Sequence, residues 1–148
     1  MGVLKATLIL GEVVFRMGFD VKKAEVHGMS QRGGSVSSDV RFGDKGEDVL
    51  SPMIPAGEVD YLLSLEPEWS DAHLADLRPG GVVISANDFD IAKLANPKAL
   101  NVAALGALST HCDFPPEVWS GVLHDSFPEK LWATNEAAFA YGRDATAG

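Results

Sequence analysis

The sequence predicts an α/β fold, a three-layer α/β/α sandwich in which helices cover both faces of a mixed, mostly parallel sheet. Short strand-like runs, such as Tyr61 to Leu65, alternate along the chain with longer segments whose apolar residues recur at helical spacing. The run from Tyr61 is also continuously apolar, which is typical of a strand buried on both faces of a parallel sheet. At 148 residues, the chain is predicted to form one domain, residues 1–148, around one core.

Composition excludes several classes of protein. Hydrophobic residues make up 46% of the chain and charged residues 22%, which is typical of a globular domain. A formal net charge of −9 argues against binding to nucleic acid and to anionic membranes, because both need a basic surface. The apolar runs are shorter than a membrane span, and the first residues do not form a secretory signal. We therefore expect a cytoplasmic protein.

Cysteine and histidine give no sign of a metal site. Cys112 is the single cysteine, so a disulfide within the chain is excluded and the chain cannot ligate an iron–sulfur cluster by itself. The four histidines show no ligand spacing. Cys112 lies at the end of an apolar helical run, which favours a buried, inert thiol over an activated nucleophile.

The N-terminal half is predicted to form a helix followed by two strands. Apolar residues cover most of the circumference of residues 3–17, which predicts a largely buried helix that stops at Gly18. Val21 to Val26 is short and β-branched at both ends, and apolar residues alternate with polar ones from Val36 to Phe42. Both segments are therefore predicted strands.

Short edge pieces and a buried strand are expected next. Gly43 to Gly46 is typical of a hairpin turn, and two short edge strands are predicted at Val49-Leu50 and Met53-Ile54. The apolar run from Tyr61 to Leu65 is the next strand.

A helix from Trp69 to Leu77, a turn at Pro79-Gly80-Gly81 and a buried strand from Val82 to Ser85 follow. A short helix is predicted from Asp90 to Ala95.

The C-terminal part is predicted to be helical. An alanine-rich helix spans Ala99 to Thr110 and contains Gly106, which we interpret as a close-packing residue. A second helix starts between Asp113 and Pro116. The last helix opens at Pro128 and stops at Gly142, and the tail from Asp144 to Gly148 is predicted to be loose.

The candidate working surface is the polar, glycine-rich segment from His27 to Ser35, set between the two predicted strands. Gly33-Gly34 permits backbone angles at which successive N–H groups converge on an anion. Arg32 adds a planar fork that suits a phosphate or a carboxylate. The same residues also suit a tight turn with a solvated arginine, and chemistry alone leaves both interpretations open.

The wider sequence resembles the gamma-type domain of the 2-oxoacid:ferredoxin oxidoreductases. The resemblance starts with HGMSQRGGSVSSDVRFG and continues in family order through SPMIPAGEVDYLLSLEP, LRPGGVVISAN, NVAALGAL and FPEKLWATNEAAFAYG. Within this family, His-Gly-Met-Ser-Gln-Arg-Gly-Gly is similar to the indolepyruvate branch, whereas pyruvate and branched-chain members usually carry another sequence before the paired glycines. The chain is thus identified as a member of this family.

The sequence is shorter than the family pattern in two places. The family places a strand and a glycine-rich turn of the form GxGGQG before the first helix, and Gly2 to Leu4 align with the end of that turn. A further strand and loop usually follow the position of Asn87. The resemblance therefore implies a sheet smaller than the family's by a strand or two.

The resemblance implies an oxidoreductase subunit that is not active alone. In this family, thiamine diphosphate and the iron–sulfur clusters lie in a larger partner subunit. The complete enzyme decarboxylates an aryl pyruvate, transfers the acyl group to coenzyme A and passes two electrons to ferredoxin. The implied partners are the larger subunit and, through the complex, ferredoxin. Exposed apolar surface at the place of a lost strand also predicts a homo-oligomer when the chain is isolated.

Family resemblance carries the candidate site onto residues of one loop, and it assigns no catalytic residue. Arg32 is expected to pair with a coenzyme A phosphate, with a substrate carboxylate, or with a carboxylate of the partner subunit that locks the interface. Gln31 and Ser35 would orient the bound group, and His27 would titrate near neutral pH. The substrate-binding or interface set is His27, Met29, Gln31, Arg32, Gly33, Gly34 and Ser35.

Two alternative functions remain open at this point. One is a gamma subunit of a pyruvate or branched-chain 2-oxoacid oxidoreductase. The other is a stand-alone module that binds coenzyme A or a nucleotide. Most of the glycine-rich turn is absent from this sequence, and this argues against such a module, because the N-terminus of the following helix is the best phosphate site in such a fold.

Overall fold

Helices and strands both contribute to the described part of the chain, which covers residues 3–27, 36–43, 46–65 and 73–147 of a computed structural model. This mixture confirms the predicted α/β class. In chain order the elements are α1 (Val3–Arg16), β1 (Val21–His27), β2 (Val36–Phe42), β3 (Val59–Ser64), β4 (Leu77–Ser85), α2 (Leu100–Ser109), α3 (Pro116–Ser126) and α4 (Trp132–Ala147).

The strands pair in two different ways. β1 and β2 are antiparallel, in a continuous register from Val21 opposite Phe42 to His27 opposite Val36. β3 and β4 are parallel. The predicted mixture of parallel and antiparallel pairing is present, but it is divided between two two-stranded sheets, because no strand in the described ranges joins the pairs.

α1 packs on one side only. It ends before Gly18, as predicted, and Gly18 has a φ of 91°, which glycine adopts at no steric cost. Ile9 and Val13 are fully buried in the central core. The prediction that α1 is largely buried is wrong for its other side, where Leu8 is 55% and Phe15 65% exposed. The elements β1, β2, α2 and α3 contact α1 on its buried side. They leave this apolar stripe uncovered by described residues.

α2 is the most deeply buried element, because every residue from Asn101 to Ser109 is buried. Its sequence is apolar around nearly the whole circumference, which is typical of a helix enclosed by other elements. The surrounding core contains side chains of α1, β4, α3 and α4. The largest fully buried side chains are Trp119, Ile9, Leu105 and Leu123.

α2 and α4 cross so closely that only glycine fits at two positions of the contact. A Cβ atom added at Gly106 would lie 2.1 Å from the carbonyl oxygen of Phe139. One added at Gly142 would lie 1.8 Å from the carbonyl oxygen of Ala103. Non-bonded heavy atoms prefer separations of about 3.5 Å or more. The close-packing role predicted for Gly106 is therefore confirmed.

The prediction that Gly142 stops the last helix is wrong. α4 continues through Gly142 to Ala147, so the predicted loose tail is helical as far as Ala147. Gly142 is inside the helix because it faces α2 at the crossing, and the packing outweighs the weak helix propensity of glycine. The helix also starts later than predicted, at Trp132, after a single 3₁₀ turn at Glu129–Leu131.

Pro79 to Gly81, predicted as a turn, forms an irregularity inside β4. Val59 lies opposite Leu77, but Tyr61 lies opposite Val82, so β4 uses three more residues than β3 over this interval. Gly80 has a φ of 79°. That angle lets the extra residues bulge without ending the strand.

The described residues differ from two predicted helices. Of the helix predicted from Trp69 to Leu77, residues 69–72 lie outside the described part of the chain, and His73 is helical. Leu74–Asp76 is a 3₁₀ turn, and Leu77 already belongs to β4. The helix expected from Asp90 to Ala95 is one turn at Ile91–Lys93.

Short polar side chains explain the second of these differences. The side chains of Ser85, Asp90 and Asn96 each accept a hydrogen bond from a backbone N–H two residues further along the chain. Such local bonds compete with a continuous helix and favour isolated turns. The segment therefore folds as a series of capped turns.

The glycine crossing gives the first testable prediction. Gly106→Ala should destabilise the chain by about 1–3 kcal/mol or more, since the added methyl group meets backbone rather than a movable side chain. The measurement is the free energy of unfolding in urea.

Gly121→Ala is the matched control, because Gly121 lies in α3 and its added Cβ would lie 3.6 Å from an arginine side chain, an ordinary contact. The control should be neutral or up to about 1 kcal/mol more stable, as expected from helix propensity. Equal effects of the two substitutions would contradict the close crossing.

Candidate functional site

The loop that the sequence singles out joins the two strands of the antiparallel hairpin. His27 ends β1 and lies opposite Val36, which begins β2. The two strands predicted on either side of the segment are therefore confirmed, whereas residues 28–35 lie outside the described residues. The remaining predicted site residues lie outside the described residues: Met29, Gln31, Arg32, Gly33, Gly34 and Ser35.

β2 has one inward and one outward face, as predicted. The Ser38 hydroxyl oxygen is buried, and the ring of Phe42 packs among other aromatic rings. On the outward face, the side chains of Asp39 and Arg41 bind the backbone of a neighbouring segment. The alternation predicted from the sequence therefore corresponds to the two faces of β2, of which one packs inward and the other binds a neighbouring segment.

The neighbouring segment, residues 49–54, is named here the strap. Arg41 donates a hydrogen bond to the carbonyl oxygen of Met53 at 2.9 Å, and the N–H of Ile54 donates to Asp39 Oδ2 at 3.3 Å. The two edge strands predicted within residues 49–54 are not formed. Side chains of β2, rather than a backbone ladder, hold this proline-containing segment.

Asp20 ties the other end of the strap to the start of β1. The N–H of Val49 donates to Asp20 Oδ2 at 2.7 Å, and Lys22 Nζ lies 3.0 Å from Asp20 Oδ1. The hydrogen bond from Val49, followed by that from Lys22, holds the pKa of Asp20 below its ordinary value. Asp20 therefore stays ionised to more acidic pH than an ordinary aspartate.

An open cleft of about 380 Å³ lies between the end of β2 and the strap. Charged side chains of both signs line it, including Arg41, Glu47 and Asp48. Leu50, beside these groups, is 95% exposed. The cleft adjoins Phe42, so it lies at the opposite end of the hairpin from the loop.

Aromatic rings fix that end of the hairpin to the helical core. The ring centroids of Phe19 and Phe42 are 5.9 Å apart, and those of Phe19 and Phe114 are 5.7 Å apart. Phe114 continues to Trp119 at 6.4 Å, and Trp119 to Phe139 at 5.5 Å. Aromatic pairs at such distances favour offset or edge contacts. These ring contacts pack the Phe42 end of the hairpin, named here its aromatic base, on the helical core.

A second polar cluster links α3 to α4. Glu136 Oε1 accepts a hydrogen bond from Ser120 Oγ at 3.0 Å and lies 2.7 Å from His124 Nε2. These bonds hold the pKa of Glu136 below its ordinary value, with Ser120 the larger cause. The imidazole stacks on Trp132 at 4.2 Å. Serine and histidine both contact the carboxylate, so this geometry joins two helices and differs from a serine activated by histidine.

Cys112 is half-buried after α2, and burial raises the pKa of its thiol. A raised pKa keeps the thiol protonated and unreactive, as predicted. Within residues 3–27, 36–43, 46–65 and 73–147, no three His, Cys, Asp or Glu side chains are grouped so that they could hold a metal ion. None of the helices described in these ranges is long and apolar enough to cross a membrane.

The contacts that hold the strap were not predicted from the sequence. The alternation in β2 placed Asp39 and Arg41 on the outward face, but it gave no partner for either. Asp20 and Val49 are 29 positions apart. Local patterns carry no signal for such a pairing.

Comparison with known proteins gives a family match and several relatives. A family model described as pyruvate ferredoxin/flavodoxin oxidoreductase matches residues 1–145. Indolepyruvate oxidoreductase subunits IorB from Thermococcus kodakarensis and Pyrococcus horikoshii are 45% and 44% identical to this chain over 84 residues. These 84 residues are 57% of this chain, and the match spans 40% of the length of each relative.

Solved structures share the fold. The keto/oxoacid ferredoxin oxidoreductase gamma subunit from Geobacter sulfurreducens has a TM-score of 0.70 at 21% identity, with 99% of this chain and 92% of that chain covered. The 2-oxoglutarate:ferredoxin oxidoreductase from Magnetococcus marinus, solved with 2-oxoglutarate, coenzyme A and succinyl-CoA bound, has a TM-score of 0.80 at 18% identity. The match covers 99% of this chain and 29% of that chain.

The Asp20 contact gives a prediction about pH. The folded-state pKa is depressed, so the contact stabilises the strap above the unfolded-state pKa, and that stabilisation is lost as the pH falls through the folded-state pKa. In an NMR titration, the Val49 amide shift should therefore follow a carboxyl group that titrates below the ordinary aspartate range.

Asp20→Asn should remove this titration from the Val49 signal. Glu117→Gln, which neutralises an exposed carboxylate in the first turn of α3, should leave the titration in place. A Val49 signal that titrates in the ordinary aspartate range, or that still titrates in Asp20→Asn, would contradict the assigned contact.

Proposed function

The chain belongs to the pyruvate ferredoxin/flavodoxin oxidoreductase family, and from this membership we propose that it is the gamma-type subunit of an indolepyruvate:ferredoxin oxidoreductase. The enzyme would convert an aryl pyruvate and coenzyme A into an acyl-CoA and carbon dioxide, and it would reduce ferredoxin. The observation that carries the proposal is the identity of 45% to an indolepyruvate oxidoreductase subunit. That identity holds over 84 residues and is above the 18% shared over 99% of this chain with the solved 2-oxoglutarate enzyme.

The cofactors would be held by a larger partner subunit. Thiamine diphosphate would supply the carbanion chemistry there, and iron–sulfur clusters would carry the electrons. The composition of this chain supports that division, because one cysteine cannot provide the several thiolates of a cluster. The complex would pass the electrons to ferredoxin.

The loop from His27 to Ser35 would be this chain's contribution to the shared site. Arg32 would hold a coenzyme A phosphate or the substrate carboxylate in its planar fork, or it would lock the interface through a carboxylate of the partner subunit. Gln31 and Ser35 would orient the bound group, with Met29, Gly33 and Gly34 shaping the loop. The strap and the aromatic base support this role, since they hold the hairpin that carries the loop.

We propose that residues 1–148 form one gamma-type domain and act in the cytoplasm. The match of the family model to residues 1–145 and the shared core of α1, β4, α2, α3 and α4 support a single unit. When the chain is isolated, Leu8 and Phe15 are expected to promote self-association, because they form an exposed apolar stripe on α1.

The substrate is tested with the complex purified from native cells through a tag on this chain. Coenzyme A and a redox dye are supplied, and dye reduction is compared for indolepyruvate, pyruvate, a branched-chain 2-oxoacid and 2-oxoglutarate. We expect the highest kcat/KM with indolepyruvate. A higher value with pyruvate or the branched-chain acid would assign the chain to another branch of the family, and a chain recovered alone and binding coenzyme A would make it a separate module.

Arg32 gives the sharpest test of the loop. Arg32→Ala should lower the kcat/KM of the complex by about tenfold or more, since a charge-assisted hydrogen bond to an anion contributes roughly 1.5–3 kcal/mol. A rise in KM for coenzyme A alone indicates the phosphate, a rise for the oxoacid alone indicates the carboxylate, and weaker subunit association indicates the interface.

Arg78→Ala is the control, because Arg78 is an exposed arginine in β4 that pairs with Asp60. It should leave all three quantities unchanged. Full activity and normal association of Arg32→Ala would overturn every role proposed for Arg32.

A further inference from the structure

We propose that the open edge of β4 is a docking site for an extended, basic polypeptide segment of a partner protein, which adds to β4 as a further strand. Nothing in the proposed activity assigns a role to this edge. The inference rests on three features of the described residues: an unpaired strand edge, a cleft beside it and the exposed carboxylate of Asp88 at the cleft.

Only one edge of β4 is paired among the described residues. β3 pairs with β4 in parallel, and no described strand lies on the other side. In a parallel ladder, every second residue directs its N–H and C=O away from its neighbour. Pro79, which has no N–H, and the irregularity at Gly80 hinder the pairing of a further strand with the first half of β4. Val82–Ile84 is therefore the stretch that an added strand would use.

A cleft of about 320 Å³ lies along this edge. It touches Val82, Val83 and Ile84, which are consecutive. Side chains of consecutive strand residues point to opposite faces, so a single cleft that touches all three lies at the edge of the strand. No residue of β3 lines the cleft, and the ring of Tyr61 in β3 lies 5.6 Å from the imidazole of His111 at the cleft wall.

The walls of the cleft suit one large side chain of an added strand. Phe89 and Ala107 add apolar surface to a wall that also carries Asp88 and His111, and Val83 is 37% exposed. The Phe89 wall is held in place, because Asp90 N–H donates to the Tyr141 hydroxyl at 2.8 Å and the Phe89 and Tyr141 rings are 6.1 Å apart. A preformed pocket for alternate side chains is what gives specificity to strand addition.

Charge on the rim favours a basic occupant. Asp88 is exposed and lines the cleft, and its Oδ2 is held 2.8 Å from the N–H of Ser85. His111 follows the C-terminus of α2, and Ala145 lies in the last turn of α4, so the cleft lies close to the C-terminal ends of two helices, which carry partial negative charge. A lysine or arginine beside the inserted apolar side chain would meet favourable potential here.

The same charge argues against a second copy of this chain as the occupant. Two copies would each carry a net charge of −9, and their contact at this edge would bring the two Asp88 carboxylates closer together. A basic segment of another protein has the complementary charge. The occupant is therefore an extended segment in which apolar residues alternate with lysine or arginine.

The test uses the complete chain and a fluorescein-labelled peptide, acetyl-Lys-Val-Lys-Ile-Lys-Val-amide, with binding measured by fluorescence polarisation. Two isomers of this peptide carry N-methyl groups on alternate residues, one on the odd positions and one on the even positions. All three peptides have the same charge. An added strand uses the N–H groups of one alternate set only, so one isomer should bind at least about tenfold more weakly than the other.

Asp88→Asn should weaken binding of the parent peptide about two- to fivefold, the range expected for an exposed ion pair, and its amide oxygen can still accept the Ser85 N–H. Glu58→Gln removes the same charge at the far end of β3 and should have no effect. Equal binding of the two N-methyl isomers, or equal effects of the two charge variants, would show attraction by net charge alone and overturn the proposal. Failure of the oxidoreductase assay would leave this result untouched, because it is measured on the chain alone.

Discussion

Gly106 and Gly142 let α2 and α4 approach until the backbone of each helix touches the other, and the base of the hairpin and the cleft beside β4 both depend on that approach. α4 carries Phe139, the last ring of the aromatic series that reaches the base of the hairpin. Ala107 of α2 and Ala145 of α4 form part of the cleft beside β4. A wider crossing would move the base of the hairpin and the cleft together, so one packing constraint affects two separate parts of the fold.

Local patterns predicted the elements whose residues pack in the usual way for their type. α1, β1, β2, α2 and α3 follow from apolar spacing, from Gly18 and from Pro116, because periodicity and caps are properties of neighbouring residues. The errors occur where a distant contact changes the meaning of a local signal. Gly142 is a helix stop by sequence, but it serves the crossing with Ala103. Pro79 to Gly81 is a turn by sequence, but pairing with β3 keeps it within a strand.

The candidate site shows the same division. The strand, loop and strand around His27 to Ser35 were predicted from alternation and glycine, and the family from the order of its motifs. The support of the hairpin was not predicted, because it depends on polar contacts between residues far apart in sequence, such as Asp20 with Val49. The cleft at β4 also had no sequence signal, since its lining comes from a strand, a turn and two helices.

In the proposed function, this chain completes an oxidoreductase whose cofactors lie in another subunit. The most direct measurement is a titration of the purified chain into the purified larger subunit, with indolepyruvate, coenzyme A and dye present throughout. We expect little dye reduction by either protein alone. The rate of dye reduction should rise as this chain is added, until it saturates at a fixed molar ratio of the two proteins. A larger subunit that is fully active without this chain would contradict the account.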